Sequence, residues 1–208
     1  MKKTVFFFFS LSLFMVGFIN VGAIEKDSKE KEVTFELTEN KNGLTVDAGV
    51  LRFGEHDANF NEIIAVATNP MTVSVTEFSG NRTGWTLKVS LDKFSNVLKP
   101  TETINGAQLF FPQVTPEAGT PDLPTGIEPV TLGPDKGFKE GDTTDGVRVN
   151  DNDSLIPIGK AEVEKGYGKW NLPYKTADDK GLIQLRIPAN QKNGSYKSTV
   201  TYSVEDVP

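Results

Sequence analysis

The 208-residue sequence predicts an all-β protein, an antiparallel β-sandwich of Ig-like or Greek-key type with a long Pro/Gly-rich excursion. Three observations carry that expectation. Short runs alternate apolar and polar residues, the period of a half-buried strand. Turn chemistry separates the runs, at Asn42-Gly43, Ser79–Gly84, Asn105-Gly106 and Asn193-Gly194. Helical periodicity is almost absent.

Taken in order, the chain opens with Lys2 and Lys3, an apolar run from Val5 to about Phe18, and small residues at Val21–Ala23. That succession is expected of a secretory signal over residues 1–23. The run is short for a bilayer span and is broken by Ser10, Ser12 and Gly17, so membrane insertion is not expected. Residues 24–32 form a charged tail expected to be disordered. A single β domain is expected over 33–208, and its length is enough to bury a sizeable core.

Strands are expected at "VTFELT" (33–38), "LTVDAGVLRF" (44–53), "MTVSVTEF" (71–78), "WTLKVSL" (85–91), "AQLFF" (107–111), "LIQLRI" (182–187) and "YKSTVTYSV" (196–204). The stretch 71–91 reads as a hairpin with a long loop, and 182–204 as a second hairpin closing the chain. Six of the twelve prolines stand between Pro112 and Pro134, and the segment from Gly137 to Ser154 is rich in Asp and Asn. Residues from about 112 to 154 are therefore expected as an insertion, either a recognition loop on a rigid sheet or a tolerated surface excursion.

Composition excludes several functions. The chain carries 22 basic and 28 acidic residues, a net charge of -6. Without the two lysines of the leader the balance is -8, which argues against nucleic acid and anionic lipid as partners. There is no cysteine, so stability rests on the core alone and lipid attachment at a mature N-terminus is excluded. "LPTG" (123–126) lacks the intervening residue of a sortase signal, and covalent anchoring is not expected.

Catalytic residues are scarce. His56, the one histidine, lies beside Asp57 in a polar turn, with no nucleophile elbow and no H-E-x-x-H pair elsewhere. "DTTDG" (142–146) and "NDND" (150–153) could offer oxygen ligands to calcium, but they lack the EF-hand spacing and read as turns. No catalytic residue, metal or cofactor is expected.

The aromatic stripes remain. Trp85 and Leu87 share one strand face, Trp170 and Leu172 repeat the spacing in "GYGKWNLPY", and Tyr196, Val200, Tyr202 and Val204 share a face near the C-terminus. An aromatic and an aliphatic residue two apart belong to a sandwich core. The alternative is an exposed platform that stacks on sugar rings or on a partner strand.

These residues resemble the WxL domain of Gram-positive cell-surface proteins. The likeness lies less in Trp85-Thr86-Leu87 than in the order around it: "LRFGEHDA" (51–58), "VSVTEFSGNRTGWTLKV" (73–89), "GYGKWNLPY" (166–174) and "LIQLRIPANQKNGSYKSTVTYSVEDVP" (182–208). The family's second motif is again Trp-x-Leu, whereas here the corresponding positions are Tyr202-Ser203-Val204. The resemblance implies a secreted, non-catalytic protein held non-covalently on the cell wall. Its implied partners are peptidoglycan and companion surface proteins of the same gene cluster, with host extracellular matrix as a further candidate. Trp85, Leu87, Tyr202, Val204, Trp170, Leu172 and Tyr196 are then the residues expected to bind wall or partner, or to pack the two motif strands together. Two other readings stay open: a structural or adhesin subunit that pairs strand edges with other chains, and a secreted hydrolase built on His56 or an acid pair.

Overall fold

Alternation and turn residues produce sixteen strands and no helix among the described residues. The computed structural model describes residues 43–57, 60–174 and 182–207. The signal at 1–23, the tail at 24–32 and the strand expected at 33–38 lie outside the described residues. Those described fall within the compact unit Glu39–Pro208.

In chain order the first strands are Leu44–Ala48 (β1), Ile63–Val66 (β2), Met71–Glu77 (β3) and Trp85–Leu91 (β4). Next come Phe94–Asn96 (β5), Thr103–Ile104 (β6), Gln108–Pro112 (β7) and Glu117–Ala118 (β8). Val130–Thr131 (β9), Asp135–Lys136 (β10), Asp145–Asn150 (β11) and Ile156–Ala161 (β12) follow. The last are Gly168–Tyr174 (β13), Gln184–Ile187 (β14), Tyr196–Lys197 (β15) and Val200–Asp206 (β16).

They form four sheets, ordered β1-β3-β13-β8, β10-β11-β7-β14-β2, β16-β4-β12-β9 and β15-β5-β6. Every pairing of these strands is antiparallel. The result is an all-β, sandwich-like structure. Its larger sheets turn one face each to a shared core: Val73 and Val75 from the first, Leu109, Phe111 and Val149 from the second, and Leu87, Val89 and Leu91 from the third.

Two expected hairpins do not form. β3 pairs with β1 and β13, while β4 pairs with β12 and β16 in another sheet. The glycine-rich loop 79–84 therefore carries the chain across the core, with positive φ at Gly80, Arg82 and Gly84. Both edges of β3 are already taken by strands whose apolar residues match its face, so burial outweighs the local turn. The closing hairpin fails in the same way, because β14 pairs with β2 and β7 whereas β16 pairs with β4.

Two strands are also shorter than their sequence pattern. The run 44–53 stops at Ala48. The run 196–204 breaks in the middle, where Asp92 N donates to Thr199 O and Ser198 Oγ donates to Asp92 O. Tyr196 thus lies in a different sheet from Tyr202 and Val204.

The stretch from about 112 to 154 departs most from its reading as an insertion. β11 sits between β10 and β7 in the five-stranded sheet, with Val147 and Val149 in the core. Upstream of it, Phe138 packs edge-on against Phe110 with ring centroids 6.0 Å apart. Arg148 lies over the Phe138 ring at 5.1 Å and donates to Gly137 O. The segment supplies two strands, β10 and β11, to this sheet and covers its outer face, which explains why both Phe110 and Phe111 are buried.

Candidate functional site

The Trp-x-Leu strand runs through the middle of its sheet. β4 alternates buried and half-buried residues along its whole length, with Trp85, Leu87, Val89 and Leu91 inward. Its neighbour is β16, so Val204 stands opposite Leu87, Tyr202 opposite Val89 and Val200 opposite Leu91. The two aromatic-x-aliphatic motifs, distant in sequence, are adjacent antiparallel strands that present one face to the core. Pro157 marks a bulge on the other neighbour, β12, where the register shifts between Pro157 and Gly159.

Trp85 is fully buried, and its Nε1–H donates to Gly166 O across 2.9 Å. Trp170, on β13 of another sheet, is also buried and donates Nε1–H to Tyr167 O across 3.0 Å. One turn, Gly166-Tyr167-Gly168, thus satisfies both indoles while it leads the chain from β12 to β13. A buried indole N–H needs such a partner.

The turn admits no side chain at Gly166. Its φ is +70°, and a Cβ there would stand 2.3 Å from the Ala161 Cβ and 2.6 Å from the Trp85 Nε1. Tyr167 closes the turn from outside, under the Arg82 guanidinium at 4.3 Å, and Arg82 also meets Glu164 at 3.6 Å.

Leu172 is buried like Leu87. Tyr202 and Val204 are half-buried against the core, Tyr202 lying edge-on to Phe111 with centroids 6.3 Å apart. The Tyr202 hydroxyl donates to Met71 Sδ at 3.7 Å, a weak acceptor. Burial holds the Tyr202 phenol well above the ordinary tyrosine range. Burial does the same to Tyr174, with a smaller contribution from the neighbouring Tyr202.

At the end of the seam away from Trp85, Val200 and Tyr202 open into a cleft of about 1160 Å³. Its floor includes Ala65, Leu109, Leu185 and Ile187. One wall is the segment Gly49–Asp57, which forms no strand. It is pinned by Thr68 N donating to Arg52 O at 2.8 Å and Asn69 Nδ2 donating to Val50 O at 2.7 Å. The other wall runs from Pro188 to Thr199, where the Tyr196 hydroxyl donates to Lys192 O at 3.0 Å. The cleft was not legible in the sequence. Its walls come from opposite ends of the chain, and the one signal was the Phe-Gly run at 51–58, which resembles a family segment without stating its place.

Of the seven residues singled out from sequence, Trp85, Leu87, Tyr202 and Val204 lie on the seam, Trp170 and Leu172 are buried on β13, and Tyr196 and Tyr202 line the cleft. His56 lies exposed at the cleft's edge, its Nε2–H donating to Phe53 O at 2.7 Å, a backbone partner rather than a nucleophile. The acidic clusters serve turns. Asp142 accepts from Thr144 N and Gln184 Nε2, Asp153 from Asn150, and Asp151 from Gly106 N. Among the described residues no three His, Cys, Asp or Glu side chains are grouped to hold a metal ion.

A family model described as "WxL domain surface cell wall-binding" matches residues 24–208. No curated protein and no solved structure matches the chain.

Proposed function

The chain belongs to the WxL domain surface cell-wall-binding family, and on that premise we propose that it is a secreted, non-catalytic protein that attaches non-covalently to peptidoglycan and joins companion surface proteins in a complex. The family match over residues 24–208 carries this reading. The burial of both indoles bears on how it works. A side chain that is fully enclosed and already hydrogen-bonded cannot stack on a sugar ring, so the Trp-x-Leu and Tyr-x-Val strands act as a packing seam. They hold the sheet rigid while other surface makes the contact. His56 and the acidic turns play no chemical part.

Sedimentation of the purified protein with washed, protein-free peptidoglycan tests the proposal. Saturable retention on the pellet supports direct wall attachment. Failure to sediment at any wall excess overturns it and leaves attachment through a companion protein.

A second reading, a subunit that assembles by strand pairing, is favoured by one observation. Among the described residues, Ile63–Val66 is the outer strand of the five-stranded sheet, paired with β14 alone. It predicts self-association in solution without wall material, measurable by light scattering.

A further inference from the structure

We infer that the cleft between Gly49–Asp57 and Pro188–Thr199 binds the short carboxylate-bearing peptide of the wall rather than its glycan. This rests on the wall-binding reading above and names the component bound.

The charge of the cleft is opposite to that of the chain. Its lining includes Arg52, Lys192 and Lys197 against a single carboxylate, Asp57, whereas the whole chain carries -6. Lys192 is partly spent on Glu102, 3.2 Å away. Arg52 and Lys197 have no carboxylate in ion-pair distance among the described residues, and both are exposed on facing walls. Two cations over a concave surface focus a positive potential that favours an anion.

Beneath them the floor is aliphatic, with Ala65, Leu109, Leu185 and Ile187. Such a floor rewards methyl groups. A glycan strand instead seeks flat exposed aromatic rings, and both indoles are buried. The rings that do line the cleft, Phe53, Phe94, Tyr196 and Tyr202, are half-buried and packed against the core. A polyol phosphate would answer the cations but not the floor. The wall's peptide meets both demands, since its alanines offer methyl groups and its isoglutamate and terminal alanine offer carboxylates.

The volume, about 1160 Å³, lies just above the usual range for small-ligand clefts and suits an extended peptide of a few residues. The hydrogen bonds that pin both walls mean that little ordering is needed on binding.

Calorimetric titration of the full secreted protein with synthetic L-Ala–D-isoglutamate–L-Lys–D-Ala tests the inference. Peptide-free glycan strands, poly(glycerol phosphate) and an Asp/Glu-rich control peptide are run beside it. Wild type is expected to bind the tetrapeptide and none of the other three comparably. Arg52→Gln and Lys197→Gln should each weaken binding about tenfold, as removal of a charge-assisted hydrogen bond does. Lys160→Gln, on β12 and outside the cleft, should leave it unchanged.

Tetrapeptide binding that neither cleft variant alters overturns the inference, as does equal or tighter binding of the glycan, the polyol phosphate or the acidic control. Intact peptidoglycan separates the two levels. If wild type sediments with peptidoglycan but ignores the free tetrapeptide, wall attachment stands and the cleft assignment falls. If wild type binds neither, both fall.

Discussion

Replacing Trp85 with phenylalanine keeps an aromatic ring in the core and deletes one hydrogen bond. The indole is wholly enclosed, and its Nε1–H is bound to Gly166 O at 2.9 Å in a turn that is itself buried. Leaving that carbonyl without its donor costs about 1–3 kcal/mol. The smaller ring also leaves a void beside Ala161 and Gly166 that adds about 1 kcal/mol. The sum, about 2–4 kcal/mol, corresponds to a fall in Tm of roughly 5–15 °C for a chain of this size. Urea unfolding followed by circular dichroism measures it, and an unchanged m-value would show that only stability had moved. Trp170 is then the sole tryptophan, so its fluorescence gives a second probe of the same transition. A midpoint within about 0.5 kcal/mol of wild type would refute the packing role, since such small effects belong to exposed positions.

Three further outcomes follow from the same geometry. Gly166→Ala should destabilise by about 3 kcal/mol or more, because it combines a positive φ with a clash against the Ala161 Cβ and the Trp85 indole; a Tm shift under about 2 °C would contradict this. Tyr202→Phe should change stability by less than about 1 kcal/mol, since the lost hydroxyl meets only a sulfur at 3.7 Å; denaturant midpoints decide it. Between neutral pH and about 10 the phenols should leave stability flat, and above that it should fall. Burial raises the folded phenols of Tyr174 and Tyr202, so the unfolded chain, ionising near 10, gives up protons that the folded chain retains. Each phenol contributes about 1.4 kcal/mol per pH unit there. Urea midpoints from pH 8 to 12 would read the slope, Tyr202→Phe should roughly halve it, and a rise in stability above pH 10 would contradict the burial of both rings.

How much of this was legible in the sequence depended on how local the signal was. The alternation of Trp85 to Leu91 is written in seven residues, and it identified the strand and its apolar face while leaving open whether that face was core or contact. The partners of that strand were not legible, because Val200–Asp206 and Ile156–Ala161 are chosen by apolar faces meeting in space. The nearest turn, 79–84, pointed to β3 instead. Residues 145–150 were hidden by composition: aspartate and asparagine at both ends of "DGVRVN" masked the Val147–Val149 alternation between them. The Gly166–Gly168 turn was visible as Gly-x-Gly, yet its role in receiving two indole protons depends on strands from two sheets. Arg52 and Lys197, 145 positions apart, carry no joint mark in the sequence.

The most direct measurement is sedimentation of Trp85→Phe with washed, protein-free peptidoglycan, at a temperature well below the variant's own Tm and beside wild type. If the indole belongs to the seam and the contact lies elsewhere, the folded variant should be retained to the same extent as wild type. If the folded variant stays in the supernatant while wild type pellets, the indole itself is part of the contact and the seam account is wrong.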